Sequence, residues 1–266
     1  MNFIIDIYLQ LTNFNFDPVA VNFGPIKITW YALSYIVGLL FAWRYALYIS
    51  KVNYLLKEEV IDYFFNNAIL GVIIGGRLGY VIFYNFNYYF YNPFEILMVW
   101  RGGMSFHGAV IGVILATYIY SKKNKVSAFY FLDLVALSAP IGIFLGRVSN
   151  FLNSELYGRE TDLYWSVKFI FIDNLNRHPS QIYEAILEGL VLFIILNYLI
   201  SRDNKKEGYI SSLFLIFYSI FRFLIEFTRE PDQHIGLLLF NLSMGQLISI
   251  IVLILGILLW QSKKNV

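Results

Sequence analysis

Cysteine is absent from the 266 residues of this sequence. Disulfides, a thiolate nucleophile and thiolate-bound metals are therefore excluded. Histidine is also scarce: the sequence has three histidines, and they lie far apart. Since no His-Glu-x-x-His pair is present either, no metal site is indicated. No glycine-rich loop with a lysine is present to hold phosphate. The sequence therefore indicates no metal, no nucleotide and no other cofactor.

Charged residues make up only 14% of the chain, and the formal net charge is +2. Since there is also no long basic block, we exclude nucleic acid as a partner. Hydrophobic residues reach 58%, and the mean hydropathy is +0.61. These values are far from those of a soluble globular domain, so the sequence predicts an integral membrane protein whose surroundings are the lipid bilayer.

Long apolar segments recur along the chain. A helix needs about 20 apolar residues to cross a bilayer, and seven segments approach this length. They predict an all-α, polytopic membrane helix bundle of about seven transmembrane helices, with residues 1–266 forming a single integral membrane domain. Residues 151–180 are too few for a domain of their own and are expected to form a small extracytoplasmic cap. The predicted spans are residues 31–48, 63–83, 105–120, 129–150, 182–200, 208–227 and 244–260.

Basic residues between the spans fall mainly in alternate loops, which the positive-inside rule assigns to the cytoplasm. This places the N-terminus outside the membrane and the C-terminus in the cytoplasm. Lys27 is the first basic residue of the sequence, and the acidic Asp6 comes before it. Because the positively charged start of a cleavable signal peptide is missing, the first span is expected to act as an uncleaved signal. The residues that set this orientation are Lys51, Lys57, Lys122, Lys123, Lys125, Arg202, Lys205, Lys206, Lys263 and Lys264.

Glycines recur at four-residue intervals inside the predicted spans. Small residues at this spacing allow helices to approach closely, so we expect these glycines to lie at helix contacts. They are Gly71, Gly75, Gly79, Gly108, Gly112, Gly142 and Gly146.

Four arginines lie within predicted spans, where each costs about 2.5–3.5 kcal/mol at a helix centre. Arg44 is close to a cytoplasmic end and is expected to extend towards the interface. Arg77 either pairs structurally or contacts a ligand. Arg222 shares one helical face with Glu226 and Arg229, and this face forms either an internal ion pair or part of a site. The fourth is Arg147.

Polar residues cluster where three spans meet the extracytoplasmic side. Arg147, Asn150, Asn153 and Glu155 lie at the outer end of the fourth span. Because lipid offers such groups no partners, they predict a polar pocket inside the protein. His107, flanked by glycines, opens the third span.

The fifth span also begins with polar residues. Gln181, Glu184 and Glu188 share one helical face, and carboxylates at that depth must meet a cation or a water-filled space. Arginines facing outward beside these groups would suit an anionic amphiphile whose tails stay in lipid, because the guanidinium group matches phosphate oxygens.

Six ordered motifs lie between Trp30 and Asp232. They read Trp30-Tyr31, Gly75-Gly-Arg-Leu-Gly-Tyr, Gly102-Gly-Met-Ser-Phe-His107-Gly, Gly146-Arg147-x-x-Asn150-Phe-x-Asn153-x-Glu155-x-x-Gly158-Arg159, His178-Pro-Ser-Gln-x-Tyr-Glu184, and Arg222-x-x-x-Glu226-x-x-Arg229-x-Pro231-Asp232. In these motifs the chain resembles the prolipoprotein diacylglyceryl transferases. The resemblance implies an enzyme of the bacterial cytoplasmic (inner) membrane, acting in lipoprotein biosynthesis. Its two substrates would be phosphatidylglycerol and the lipobox cysteine in the signal peptide of a preprolipoprotein.

The resemblance implies transfer of the diacylglyceryl group to the cysteine thiol, with formation of a thioether and release of glycerol phosphate. The implied catalytic residues are His107, Arg147, Arg222 and Glu226, and the implied substrate-binding residues are Tyr31, Asn150, Glu155, Gly158 and Arg229. Arg159 is expected to be a surface residue.

His107 is the candidate base for the thiol, because neutral imidazole is the side-chain type suited to that role near pH 7. The alternative is that nearby arginines promote ionisation of the thiol directly, with His107 only binding substrate. Arg147 and Arg222 would hold the phosphate, Glu226 would orient one arginine, and Gly158 would permit a tight backbone turn.

Two other classes of protein are weighed against this interpretation. A transporter or channel for an anionic solute would also use buried arginines, but it needs a polar path to the cytoplasm, and the inner halves of the spans are mostly apolar. A different lipid enzyme, such as an alcohol phosphotransferase or a lipid phosphatase, would be expected to show aspartate-rich metal motifs or several catalytic histidines.

Overall fold

The computed structural model describes residues 13–14, 17–24, 26–54, 56–202, 206–231 and 236–264. Asp6, Lys205, Asp232 and His234, which the sequence predictions mention, lie outside the described residues. The described helices are α1 (Trp30–Ile49), α2 (Glu58–Tyr84), α3 (Phe86–Tyr91), α4 (Phe106–Asn124), α5 (Ala128–Leu152), α6 (Ser180–Glu184), α7 (Leu192–Arg202), α8 (Tyr209–Ile225) and α9 (Met244–Lys264). The short strands are β1 (Asn13–Phe14), β2 (Val19–Phe23), β3 (Ile26–Thr29), β4 (Val167–Phe169) and β5 (Asn176–Arg177).

Each of the seven predicted spans coincides with helical structure, and the prediction of a helical, multi-pass membrane protein is confirmed. Within the described part of the chain, five helical segments are long and apolar enough to cross a membrane. Tyr209–Ile225 is apolar but shorter, at 17 residues. The five segments are Trp30–Val52, Glu58–Tyr84, Ala128–Leu152, Ser180–Ser201 and Met244–Lys263. The count of seven spans stays a prediction.

The chain forms two compact units, one of which is Trp43–Leu134. In this unit α2 packs against α4 through glycines. A Cβ atom at Gly79 would lie 2.7 Å from the Cα of Gly108, and one at Gly71 would lie 2.9 Å from the carbonyl carbon of Gly112. Since real Cβ atoms do not approach other atoms this closely, only glycine allows this helix contact. The predicted packing role is confirmed for α2 and α4.

The other unit contains the described residues before Trp43 and after Leu134. In this unit Gly142 packs on Gly38 of α1, where an added Cβ would lie 3.3 Å from the Cα of Gly142. At Gly146 an added Cβ would meet nothing within 4 Å. The packing prediction is therefore wrong for Gly146, where the space would accept a side chain. A Cβ added at Gly142 also meets nothing within 4 Å, so the contact with α1 needs glycine at position 38 and not at position 142.

The predicted cap, residues 151–180, has a small sheet in which β4 lies between β1 and β5. Strand β4 runs parallel to β1 and antiparallel to β5. Val167 and Phe169 of β4 are buried together with Phe151 of α5, and Tyr157 packs against them. This apolar core connects the end of α5 to the segment that leads into α6.

Arg177 joins the ends of the cap. It pairs with Asp173 at 2.6 Å and with Glu230 at 3.2 Å, and it donates to the Gly158 carbonyl at 3.0 Å. Its guanidinium group also lies 4.7 Å from the centre of the Tyr157 ring. Hydrogen bonding from Arg177 holds the pKa of the Asp173 carboxyl below its ordinary value. Since Arg177 reaches both Asp173 and Glu230, it ties the cap to the residues that follow α8.

Two other arginines can be compared with their predictions. Arg44 is exposed, with its guanidinium group 5.1 Å from the centre of the Trp43 ring, which agrees with an interfacial side chain. Arg159 is partly buried and its Nε donates to the carbonyl oxygen of Arg229 at 2.8 Å. Arg159 thus keeps part of its surface exposed, as predicted, and it also binds the backbone after α8.

Candidate active site

Glu184 is the centre of a buried charge cluster in the larger unit. Its side chain is fully buried at the end of α6. One carboxylate oxygen, Oε2, lies 3.0 Å from Arg147 Nε, and the other, Oε1, lies 3.0 Å from Arg229 Nη1. Arg222 Nη1 also contacts Oε1. A single carboxylate therefore holds three arginines that come from α5, α8 and the segment after α8.

A second glutamate, Glu188, lies beyond Glu184 in a π-helical stretch, Ala185–Val191. It is also fully buried. Its carboxylate oxygens lie 3.6 Å from Arg222 Nη1 and 3.8 Å from Arg147 Nη2, and neither accepts a hydrogen bond from the described residues. At these longer distances Glu188 balances charge in the cluster and holds the two arginines less closely than Glu184 does.

The π-helical stretch lies directly against α5. A Cβ atom at Gly189 would lie 2.6 Å from the Cβ of Phe144 and 2.9 Å from its Cα. Glycine at this position allows the two backbones to approach, and Arg147 follows Phe144 by about one helical turn. This close contact explains why Arg147 reaches both buried glutamates.

Glu226 completes the cluster from the end of α8. Its Oε2 lies 2.8 Å from Arg222 Nη2, one turn earlier on the same helical face. The cluster then has three arginines and three glutamates, as buried charges in a membrane require. The glutamates 184 and 188 have no exposed side-chain surface, whereas Arg147, Arg222 and Arg229 keep 19%, 14% and 11% exposed. The open edge of the cluster is therefore cationic and can accept an anion.

Asn150 and Glu155 contact each other at the lip of the cluster. Asn150 Nδ2 donates to Glu155 Oε2 at 2.9 Å, and Gln181 Nε2 donates to the Glu155 backbone carbonyl at 2.6 Å. Through Glu155, these two hydrogen bonds join the end of α5 to the start of α6. Tyr31 lies near the start of α1, with its ring partly exposed and its hydroxyl 3.2 Å from the Tyr35 hydroxyl.

Gly158 lies where two extended segments meet. It forms an isolated antiparallel bridge with Arg229, and a Cβ atom here would lie 2.7 Å from the Thr228 carbonyl oxygen and 2.6 Å from the His178 Cβ. Gly158 does not have a positive φ. The expected tight turn at Gly158 is therefore wrong, because glycine is needed here for close packing of three backbone segments.

His107 belongs to the unit Trp43–Leu134, at the second residue of α4. Its side chain is exposed. Ser105 caps the helix by accepting a hydrogen bond from the Gly108 N–H at 3.2 Å, and its own N–H donates to the Gly76 carbonyl at 2.8 Å. These contacts fix where α4 begins and hence the backbone position of His107. Its assignment as the base stays a prediction.

Arg77 organises the segment that precedes His107. It is 3% exposed, and its guanidinium group donates to the backbone carbonyls of residues 95, 96, 98, 102 and 103. The bond from Nε to the Ile96 carbonyl is 2.8 Å, and that from Nη2 to the Glu95 carbonyl is 2.6 Å. Of the two roles left open for Arg77, the structural one is favoured, because the carbonyls occupy all three nitrogen atoms.

Replacing Arg77 by lysine should destabilise the protein by about 3 kcal/mol, because one ammonium group cannot reach five carbonyls. The measurement is the melting temperature in detergent, together with protease cleavage within residues 93–104. Arg101→Lys is the matched control, since Arg101 is exposed and forms a surface pair with Glu95 at 2.9 Å. Equal melting temperatures for the two variants would contradict the role of Arg77.

Glu184 and Glu188 are not among the site residues predicted from the sequence. The available signal for them is that they share a helical face with Gln181 and need a cation or water. The identity of the partner arginines depends on how three helices pack, which the spacing within one helix does not determine.

The helices and the buried cluster define the class of the protein: a multi-pass helical membrane protein with a charged site at the ends of several helices. Comparisons with known proteins identify the family. The sequence profile of the prolipoprotein diacylglyceryl transferases matches residues 18–262, and the chain belongs to this family.

Curated relatives from two genera agree with this assignment. The chain is 50% identical to the phosphatidylglycerol--prolipoprotein diacylglyceryl transferase of Rickettsia bellii (strain OSU 85-389), over 92% of this chain and 94% of the relative. Identity is 48% with the enzyme of the same name from Rickettsia typhi, over 91% of this chain and 95% of the relative. It is 46% with that from Ehrlichia canis, over 90% and 93%. The family and the transferase class predicted from the motifs are thus confirmed.

Proposed function

We propose that this chain transfers the diacylglyceryl group of phosphatidylglycerol to the lipobox cysteine thiol of preprolipoproteins, as the first step of bacterial lipoprotein maturation. The observation that carries this proposal is the open cationic edge formed by Arg147, Arg222 and Arg229 over two fully buried glutamates. Such an edge suits a lipid phosphate. The names of the relatives support the same substrates.

In the proposed reaction the thiol first transfers its proton to the base. The thiolate then attacks the glyceryl carbon that carries the phosphoester, so that a C–S bond forms and the C–O bond breaks. The bonding electrons of the C–O bond remain on the phosphate oxygen, and glycerol phosphate leaves. Neither an oxidant nor a reductant is consumed, and the products are a thioether and a phosphate monoester.

Arg147 and Arg222 bind the phosphate and stabilise the charge that develops on the leaving group. Electrostatic stabilisation of this kind in a site with little water is worth about 3–4 kcal/mol per donor. Arg229 binds the headgroup from the segment after α8. Glu226 orients Arg222, which it contacts at 2.8 Å.

Tyr31, Asn150 and Glu155 position the headgroup at the lip of the cluster. The Asn150–Glu155 hydrogen bond keeps the end of α5 and the following residues in one arrangement. Gly158 contributes indirectly, because its close packing holds the backbone of Arg229 in place.

His107 is the proposed base. His107→Gln should lower the transfer rate by about 10²–10⁴-fold and change the dependence of that rate on pH. The measurement is the transfer rate from pH 5 to pH 9. His178→Gln is the control, because His178 lies in the cap and is not the proposed base. Burial lowers the pKa of its imidazole.

An unchanged pH profile and a near-normal rate for His107→Gln would exclude His107 as the base. That result would favour the alternative in which the arginines promote thiol ionisation directly.

The protein is proposed to lie in the bacterial cytoplasmic membrane, with its N-terminus outside and its C-terminus in the cytoplasm. We keep residues 1–266 as one membrane domain with residues 151–180 as an extracytoplasmic cap. In this orientation the cluster and the cap face the side on which the signal peptide emerges.

The direct test is incubation of the purified protein in detergent with phosphatidylglycerol and a lipobox peptide. We expect the peptide mass to increase by one diacylglyceryl group, and no increase with a peptide whose cysteine is replaced by serine. Well-folded protein that modifies neither peptide would contradict the proposed function. Movement of an anionic solute across vesicles would instead support a transporter.

A further inference from the structure

The N-terminus of α9 contacts the charged cluster through Glu226. Ser243 Oγ donates to Glu226 Oε1 at 3.1 Å, and both side chains are buried. Ser243 and Gln246 also form a capping box, because Gln246 N–H donates to Ser243 Oγ at 3.2 Å and Ser243 N–H donates to Gln246 Oε1 at 3.0 Å. The Glu226 carboxylate therefore lies at the positive end of a 21-residue helix.

Gly245, in the first turn of α9, leaves the space that this carboxylate occupies. A Cβ atom at Gly245 would lie 2.7 Å from Glu226 Cδ, 2.7 Å from Oε1 and 2.8 Å from Oε2. Ordinary contact begins near 3.4 Å, so the carboxylate would have to withdraw by about 0.6 Å. All three contacts are with the end of a flexible side chain, so the backbone can stay where it is. An alanine would thus move Glu226 and disturb the fold little.

Glu226 in turn determines the position of Arg222. Its Oε2 lies 2.8 Å from Arg222 Nη2, while Glu184 and Glu188 contact only Nη1. Among the described carboxylates, Glu226 is therefore the one within ion-pair distance of the second end of the guanidinium group, in a contact that does not have the geometry of a hydrogen bond. A displaced Glu226 leaves that end free to rotate away from the phosphate.

We propose that Gly245 is a positioning residue of the transferase, acting through Glu226 on the orientation of Arg222, with Ser243 as the second contact. This inference rests on the proposed function, because it gives Arg222 a phosphate to orient towards. It assigns a role to the start of α9, from which no residue was included among the predicted site residues.

The experiment compares Gly245→Ala with Gly256→Ala on the same helix. An added Cβ at Gly256 would meet Leu215 Cβ and Ile216 Cγ1 at 3.0 Å, so it tests the packing of α9 on α8 away from Glu226. We expect Gly245→Ala to lower kcat by about 10–100-fold, since a displacement below 1 Å at a catalytic group has effects of this size. Gly256→Ala should leave kcat within about threefold of the wild type.

A second substitution tests the direction of the effect. Glu226→Asp shortens the side chain by one methylene group and so makes room for an alanine at position 245. In the Gly245→Ala background, Glu226→Asp should raise kcat by about tenfold, whereas the same change in the wild type should lower it. A double variant no better than the worse single variant would overturn the proposal, as would equal kcat values for the Gly245 and Gly256 variants.

A readout that does not depend on transfer separates this inference from the proposed function. Modification of Arg222 by phenylglyoxal, mapped by mass spectrometry, should be faster in Gly245→Ala than in the wild type or in Gly256→Ala. If the wild type transfers nothing but this difference is present, the proposed function fails and the positioning role stands. If the modification rates are equal, the positioning role fails whatever the activity.

Discussion

Glu184→Gln is expected to destabilise the protein by about 3–5 kcal/mol and to lower transfer by at least about a hundredfold. The glutamine keeps the size of the side chain and removes the charge that three arginines share at Glu184. Buried arginines without a partner are costly in a membrane interior. The measurements are the melting temperature in detergent and the transfer rate with saturating phosphatidylglycerol.

Glu188→Gln is the matched control for this variant. Glu188 is as deeply buried, but its nearest arginine nitrogen is 3.6 Å away and neither oxygen accepts a hydrogen bond from the described residues. Its substitution should cost less than half as much stability. If the two variants lost equal stability and activity, Glu184 could not be the centre of the cluster.

Arg147→Lys is expected to lower kcat by about 10²–10³-fold with little change in melting temperature. Lysine keeps the positive charge near Glu184, so the buried pair survives. Lysine lacks the planar guanidinium group with which arginine binds two phosphate oxygens. Arg147 is the most exposed of the three clustered arginines, which makes it the best placed to reach a lipid phosphate.

Arg44→Lys is the control for Arg147→Lys, because Arg44 is exposed and its guanidinium group lies over the Trp43 ring in α1, whereas Arg147 is in α5. It should have nearly wild-type kcat. A near-normal kcat for Arg147→Lys would remove Arg147 from the catalytic residues. A large loss of melting temperature would show instead that Arg147 is mainly structural.

Local spacing explains which parts of the structure the sequence could predict. The presence of α2 and α4 glycines at a helix contact followed from their four-residue spacing, which does not say which helix is the partner. The Arg222–Glu226 pair followed from its i, i+4 spacing. Both depend on the geometry of a regular helix. The family motifs supplied the remaining site residues.

Other features depend on contacts between distant segments. Arg77 binds backbone carbonyls 18–26 residues away, and carbonyls are present at every residue, so no side-chain pattern indicates them. The π-helical stretch changes the side-chain register between Glu184 and Leu192, which a 3.6-residue period does not anticipate. Local spacing does not predict the role of Gly158 either, since its neighbours come from two other segments.

The most direct test of the proposed reaction is the stoichiometry of its products. Purified protein is incubated with phosphatidylglycerol and the lipobox peptide. The amount of glycerol phosphate released is then compared with the amount of peptide modified. Attack at the glyceryl carbon predicts one glycerol phosphate for each thioether formed, with both acyl chains on the peptide. Release of a lysolipid or of free fatty acid, with a single acyl group on the peptide, would contradict the account.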